Sequence, residues 1–288
     1  MQEFEFASPP TLDDACRILA ETGARVVAGG TDVIPRLQRH RFPACMLVDI
    51  SRLVELRFIR EEDGTMHIGA LATYAQILAS PLLQAAAPVL LEAALTVGCP
   101  QTRCRGTLGG NIANASPAGD TLPPLLVLDA EVTLVGGAGQ RTLPLADVLL
   151  GPGQTAIGPG ELLHSVTLAR TAEPCGSAFL KLGKRKGMNI AVASVAAMLC
   201  LAADGTIGEA RVAFGSLAPT AVRSPHAEDE LIGQPPVAET FERAAQAAQA
   251  DISPIDDVRA TADYRRRASA TLLRRVLTTA AARAGGAA

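Results

Sequence analysis

Val26-Val27-Ala28-Gly29-Gly30-Thr31-Asp32-Val33 and, well downstream, Thr107-Leu108-Gly109-Gly110-Asn111 decide the reading of this sequence. Each stretch sets two adjacent glycines between an apolar approach and a small polar residue. Glycine carries no Cβ, so such a loop can aim main-chain N–H groups at an anion with no side chain in the way. Taken singly, either Gly-Gly pair reads equally well as a plain turn. Taken together they suit a pyrophosphate, whose two negative charges are held by N–H groups converging from two sides. A dinucleotide is the natural size for a ligand gripped by two domains. Neither G-x-G-x-x-G nor G-x-x-x-x-G-K-[ST] is present, which sets aside the Rossmann fingerprint and the P-loop.

The surroundings of the first loop read as a β-α-β unit. Thr11 can cap a helix whose apolar Leu12, Ala15, Ile18 and Leu19 share one face, with Gly23 at its end. Residues 25–28 read as a short buried strand, Gly29-Gly30 as a turn, and Thr31 or Asp32 as the cap of a second helix with Pro35 in its first turn. Strand, glycine turn and capped helix gather free N–H groups and a positive dipole end at one place. Residues 45–50 read as the next strand. Two strands at 56–60 and 65–69 meet at Asp63-Gly64, a strong hairpin signal, and composition changes here, so a boundary is expected near residue 55.

Residues 85–95 form an apolar helical run that delivers the chain to Gly98-Cys99-Pro100, Arg103, Arg105 and the second glycine loop. Residues 111–120 are small and polar, a loop suited to wrapping a ligand. Strands are expected at 125–135, 142–149 and 162–168. Past Pro174, strands at 177–182, 189–203 and 206–214 and helices at 226–231, 238–250 and 262–283 make a third, α+β domain with a three-stranded antiparallel sheet. The expected domains are 1–55, 56–174 and 175–288.

With 48% hydrophobic and 19% charged residues over 288 positions, the chain can bury a sizeable core. That core must be aliphatic, because there are only seven Phe, two Tyr and no Trp. A net charge of −3 argues against nucleic acid or an anionic membrane as partner. The basic runs Lys184-Arg185-Lys186 and Arg265-Arg266-Arg267 lack interleaved aromatics. Cys16, Cys45, Cys99, Cys104, Cys175 and Cys200 contain no Cys-x-x-Cys pair, so free thiols in a reducing compartment are expected. Cys99 and Cys104 have half of an iron–sulfur spacing without the other two ligands, and no metal site is expected. The acidic start Met1-Gln2-Glu3-Phe4-Glu5 has no signal pattern, and the apolar stretch 190–203 is too short to span a bilayer. A soluble, cytoplasmic protein is the expectation.

Beyond the glycines, Thr31, Thr107, Asn111 and Ser116 can add neutral hydrogen bonds, Asp120 can accept from a ribose or adenine donor, and Lys181 offers a positive charge. Ala28-Gly29-Gly30-Thr31-Asp32 and Thr107-Leu108-Gly109-Gly110-Asn111, followed by Asn114-Ala115-Ser116-Pro117 and Asp120, resemble the FAD-binding medium subunit of the molybdenum hydroxylases, a family that includes carbon monoxide dehydrogenase and bacterial xanthine dehydrogenases. The resemblance continues through Phe179-Leu180-Lys181 and Arg185 to Ile190-Ala191. It implies an α+β, two-domain FAD-binding fold of the vanillyl-alcohol oxidase (PCMH) type followed by the C-terminal domain. FAD would lie between the first two domains, with Val26 to Val33 and Thr107 to Asn111 around the pyrophosphate. Val97, Asp120, Leu163 and Lys181 fall where family members contact the adenosine or flavin portions. Asn189 stands where an acidic residue is common, and Cys104 where a polar one is.

By the same resemblance, the chain is the electron-transfer subunit of a heterotrimer that can dimerise. A large partner subunit carries a molybdopterin cofactor and does the hydroxylation, a small one carries [2Fe–2S] clusters, and FAD passes electrons to NAD, oxygen or another acceptor. No nucleophile, metal cluster or acid–base pair suited to hydroxylation stands out in this chain. One rival reading is a self-sufficient FAD-dependent oxidase or dehydrogenase, which would need a catalytic Tyr, His or Arg over the flavin, and Tyr74, Tyr264 and four His leave little material. The other is a non-enzymatic module whose glycine loops are plain turns.

Overall fold

A parallel sheet of three short strands opens the structure, a computed structural model that describes residues 4–39, 46–169, 174–185 and 187–285. Cys45 and Lys186 lie outside the described residues. In chain order come β1 (Glu5–Ala7), α1 (Leu12–Thr22), β2 (Arg25–Val27), α2 (Val33–Gln38) and β3 (Met46–Asp49), with sheet order β1-β3-β2 and Val26 opposite Val48. The β-α-β expectation is met, and β1 is added to it. Thr11 caps α1 by accepting from the Asp14 N–H at 3.2 Å, and Gly23 closes its C-terminus. The apolar face of α1 buries Ala15, Cys16 and Leu19 against Val48 and also against Leu71 and Leu162 from later in the chain, Leu162 being part of the next sheet.

That second sheet is antiparallel and starts with the hairpin β4 (Ile59–Glu62) and β5 (Thr65–Gly69), turning at Asp63-Gly64 as expected. Six helices follow: α3 (Tyr74–Ala79), α4 (Pro81–Ala86), α5 (Pro88–Thr96), α6 (Pro100–Arg105), α7 (Leu108–Asn114) and α8 (Leu122–Val127). The chain then forms β6 (Glu131–Gly136), β7 (Gly139–Pro144), α9 (Leu145–Val148), the ribbon β8 (Leu149–Gly151) with β9 (Gln154–Thr155), and β10 (Leu162–Ala169), giving a sheet of order β4-β5-β10-β6-β7.

Three local expectations are corrected here. The single helix at 85–95 is two, because Pro88 lacks an N–H to continue α4 and instead opens α5. The strand expected from residue 125 is helical to Val127 and starts only at Glu131; α8 is buried on all sides and so shows no polar face to betray its period. The strand expected at 142–149 ends at Pro144, where α9 begins. In addition, α7 takes up the first half of the stretch 111–120 that reads as loop.

The third sheet runs β11 (Cys175–Leu182), β12 (Ala193–Leu201), β13 (Ile207–Gly215) and β14 (Val222–Arg223), and α10 (Pro225–Leu231), α11 (Ala238–Ala247) and α12 (Ala262–Ala284) follow it. The three antiparallel strands expected are all present, and the two-residue β14 adds a fourth at the edge. β12 explains the long apolar run at 190–203. Its Val195, Ala197 and Leu199 pack with Leu273 and Val276 of α12, while Ala196 and Met198 on its other face enter the core of the second sheet's helices. A strand covered on both faces reads as a continuous apolar stretch. Among the described residues, no helix is long and apolar enough to cross a membrane.

Cys175 and Cys200 stand directly opposite on β11 and β12 and are joined in a disulfide, which corrects the free-thiol expectation for that pair. Cys16, Cys99 and Cys104 are free thiols.

Candidate functional site

The two glycine loops, distant in sequence, meet in space. Gly29 lies against the end of α6, where a Cβ would stand 1.9 Å from the Arg105 carbonyl oxygen and 3.1 Å from Gly106 N, so no residue larger than glycine fits. Two residues later the chain enters the second loop. Asn114 at the end of α7 reaches back to donate from Nδ2 to Asp32 Oδ1 at 3.5 Å, a second tie between the loops.

Their main-chain donors differ. In the second loop the N–H groups are engaged: Leu108 donates to Ala72 O at 3.0 Å, Gly109 to Ala70 O at 3.0 Å, Gly110 to Thr107 Oγ1 at 3.1 Å and Asn111 to Thr107 O at 3.1 Å. This is a helix N-terminus capped by Thr107. Gly109 is glycine for packing, since its Cβ would lie 2.7 Å from that of Ala70. In the first loop, among the described residues, the N–H groups of Ala28, Gly29, Gly30, Thr31 and Asp32 have no acceptor. Val27 is buried, Val26 and Val33 are half-buried, and the loop itself is partly open. Of the two loops expected to supply main-chain donors, only the first leaves its N–H groups open, among the described residues.

A second cluster lies where β11 meets α5. Lys181 Nζ pairs with Asp120 Oδ2 at 2.6 Å and also donates to Thr96 O at 3.3 Å, both side chains being nearly covered. Burial pushes the Asp120 carboxyl up to about 6, against the pull of the Lys181 ammonium. Asp120 Oδ1 is buried without a hydrogen-bond partner among the described residues. A charged, buried acceptor left open costs free energy unless a donor reaches it. Beside it Thr121 Oγ1 donates to Asn111 Oδ1 at 2.7 Å, and Tyr74 is hydrogen-bonded to Thr121 in the core, its phenol pushed well up by burial. This ties the segment carrying Asp120 to α7. Tyr74, weighed as a catalytic candidate in the rival reading, is an inward structural residue.

The remaining expected positions are spread around these clusters. Val97 is the half-buried C-cap of α5, next to Thr96. Ser116 Oγ accepts from Ala118 N at 3.3 Å and shapes the turn before Asp120. Leu163 is buried in the core, beside an irregularity in the pairing of β10 with β6. Asn189 closes the turn after β11, accepting from Lys184 N at 3.2 Å and donating to Arg185 O at 2.9 Å, a pair of contacts an aspartate could only half make. Thr96 and Thr121 carry no sequence signal, and Tyr74 carries none for its structural part, because no motif marks a residue whose partners lie in other segments.

Two structural features fit FAD: a run of unpartnered N–H groups suited to a pyrophosphate, and a buried orphan carboxylate oxygen suited to a hydroxyl or amine donor. Comparison with known proteins agrees. Residues 2–170 match the family described as FAD binding domain in molybdopterin dehydrogenase, and residues 178–280 the CO dehydrogenase flavoprotein C-terminal domain. The chain is 35% identical over 289 aligned residues to the xanthine dehydrogenase FAD-binding subunit of Escherichia coli O157:H7, covering 98% of this chain and 99% of that one. It is 34% identical to the carbon monoxide dehydrogenase medium chain of Hydrogenophaga pseudoflava, covering 97% and 98%. A solved carbon monoxide dehydrogenase from H. pseudoflava, in a form lacking the Mo-pyranopterin moiety, superimposes with a TM-score of 0.95 over 98% of this chain and 99% of that one, at 34% identity.

The chain therefore belongs to the FAD-binding subunits of the molybdopterin dehydrogenases, the molybdenum hydroxylase family. It is an oxidoreductase subunit whose cofactor is FAD, and its fold is the family's FAD-binding fold with the flavoprotein C-terminal domain.

Proposed function

We propose that this chain is the electron-transfer subunit of a heterotrimeric hydroxylase or dehydrogenase, in which [2Fe–2S] clusters on a small partner subunit feed FAD here and NAD or another acceptor drains it. Substrate oxidation would take place at a molybdopterin cofactor on the large subunit. Three domains, 1–55, 56–174 and 175–288, are proposed as the working units, in a cytoplasmic complex. The observation that carries the reading is the convergence of the first loop's unpartnered N–H groups and the orphan Asp120 Oδ1 in a chain whose family binds FAD.

In this reading, the N–H groups of Ala28 to Asp32, between Val26 and Val33, hold the pyrophosphate, with the Thr31 hydroxyl adding a neutral bond. Thr107 to Asn111 form the opposite wall, where Gly109 lets α7 approach and the Asn111 and Ser116 side chains supply polar contacts. Asp120 accepts from a ribose or adenine donor, Lys181 offsets its charge, and Val97 and Leu163 line the cleft with main chain and apolar surface. The redox chemistry is the flavin's own, taking electrons singly and giving them up in pairs, while the protein binds, orients and tunes.

A purified complex should show flavin absorbance, release FAD on denaturation, and contain molybdopterin and iron–sulfur subunits. A complex without flavin overturns the reading. Bleaching of the isolated chain by a small substrate, with no partner present, would favour the self-sufficient oxidase instead.

A further inference from the structure

We propose that Glu92 is a positioning residue for the cofactor cleft: by fixing the alignment of β11 on α5, it sets where the Lys181 ammonium lies. The inference rests on the proposed part of the Asp120–Lys181 pair in holding FAD. Glu92 belongs to no motif of the family resemblance, and its partners lie in two other elements.

The geometry is a match of two repeats. Glu92 and Thr96 stand four residues apart on α5, about 6 Å along its axis. Phe179 and Lys181 stand two apart on β11, about 6.7 Å along the strand. Glu92 Oε2 accepts from the Phe179 N–H at 2.8 Å, and Thr96 O accepts from Lys181 Nζ at 3.3 Å. The first contact thus places the second. Thr96 is the last residue of α5, so its carbonyl is left over by the helix and lies at the negative end of its dipole, a suitable seat for an ammonium. From there Lys181 reaches Asp120 Oδ2 at 2.6 Å.

Glu92 is itself held. Its Oε1 pairs with Arg283 Nη2 of α12 at 2.6 Å, and Arg283 Nη1 donates to Ser177 O, two residues before Phe179. Ser177, Phe179 and Lys181 occupy successive same-side positions on β11, each fastened to a helix. A slip of one residue would turn Lys181 away from the cleft. The Glu92 side chain is 30% exposed, so a substitution there opens no deep cavity.

The test uses the purified holocomplex and follows FAD retention as a function of pH in Glu92→Ala, Glu92→Gln and Lys181→Met. Asp120 is faced by Lys181 from β11 and by the Tyr74 phenol from α3, which in turn feels Asp32 of the first loop. In the parent, retention weakens as the pH falls through about 6 and Asp120 takes up a proton. With Lys181 displaced the carboxyl rises further, so in Glu92→Ala the midpoint for flavin loss moves up by about one pH unit and the FAD dissociation constant rises about tenfold, the worth of one charge-assisted hydrogen bond. Glu92→Gln keeps an oxygen for the Phe179 N–H and restores most of both. A Glu92→Ala complex with parental affinity and an unchanged midpoint, where Lys181→Met is impaired, overturns the inference. So does a Glu92→Gln variant as impaired as Glu92→Ala. Parental FAD retention in Lys181→Met overturns the reading of the site beneath it.

Discussion

Gly29 and Arg105 touch through main chain alone, with room for a hydrogen and nothing more between the Gly29 Cα and the Arg105 carbonyl. Gly29→Ala must push the two loops apart. Overpacking of this kind costs about 1–3 kcal/mol, and here the loss falls on the proposed pyrophosphate wall. The expected outcome is a lower unfolding temperature together with a lower flavin content. Gly137→Ala is the control, since a Cβ there meets nothing within 4 Å, and it should change neither.

The Asp120–Lys181 pair supports a prediction by its burial. Lys181→Met leaves the carboxylate covered and without its cation, and breaking a buried pair costs about 3–5 kcal/mol. Replacing both, as Asp120→Leu with Lys181→Met, removes the charge to be solvated and should recover much of that stability while still failing to hold FAD. Denaturant midpoints and flavin content, measured on the same samples, separate the two effects.

Arg265 is a guanidinium at 1% exposure on α12, donating to Val192 O at 2.8 Å and Ser216 O at 3.0 Å, with the Asp257 carboxylate 2.6 Å away. Burial pushes Asp257 up, yet the Arg259 and Arg265 guanidiniums outweigh it and hold the carboxyl well below the usual range. Ser216 in turn donates its N–H to Pro117 O at 2.7 Å, in the segment that leads to Asp120. Arg265→Met should therefore destabilise the chain by about 3–5 kcal/mol. Because Asp257 titrates lower in the folded chain than in the unfolded one, its contribution is full above the ordinary aspartate range and is lost as the pH falls through the folded value. Acid unfolding of the parent, compared with Asp257→Asn, shows it.

His226 gives a dependence of opposite sign. Its hydrogen bond to Asp251, Nδ1 to Oδ1 at 2.6 Å, and the Asp251 charge raise the imidazole above its ordinary value. The stabilisation is complete below the unfolded pKa, near about 6.5, and disappears as the pH rises through the higher folded one. Unfolding temperatures taken from about pH 6 to pH 8 should fall in the parent and fall less in His226→Gln.

Most of the frame was legible because the signals are local. Thr11 and Gly23 bracket α1, Asp63-Gly64 turns the hairpin, and the glycine loops stand out by composition. The elements misread are those whose character is set by distant packing. In α8 the run from Leu122 to Val127 is enclosed on every side, so no periodicity survives to mark it as helix. Phe6 is 60% exposed in a three-residue β1 whose pairing with β3 no local pattern announces. The cysteines show the same limit, since Cys175 and Cys200 become neighbours only once β11 and β12 pair. In the site, the sequence offers Asp120 and Lys181 as separate contacts for a ligand. Their joining with each other and with Thr96 comes from the docking of β11 on α5, which no spacing in the sequence encodes.

The contact between Gly29 and Arg105 also limits how such a cleft can change over time. A wall made of main chain has no side chain to trade, so substitution can break it but cannot adjust it. In the proposed site, adjustment of cofactor affinity or potential then falls to the facing side, where the Lys181 side chain presents a group that a single codon can alter.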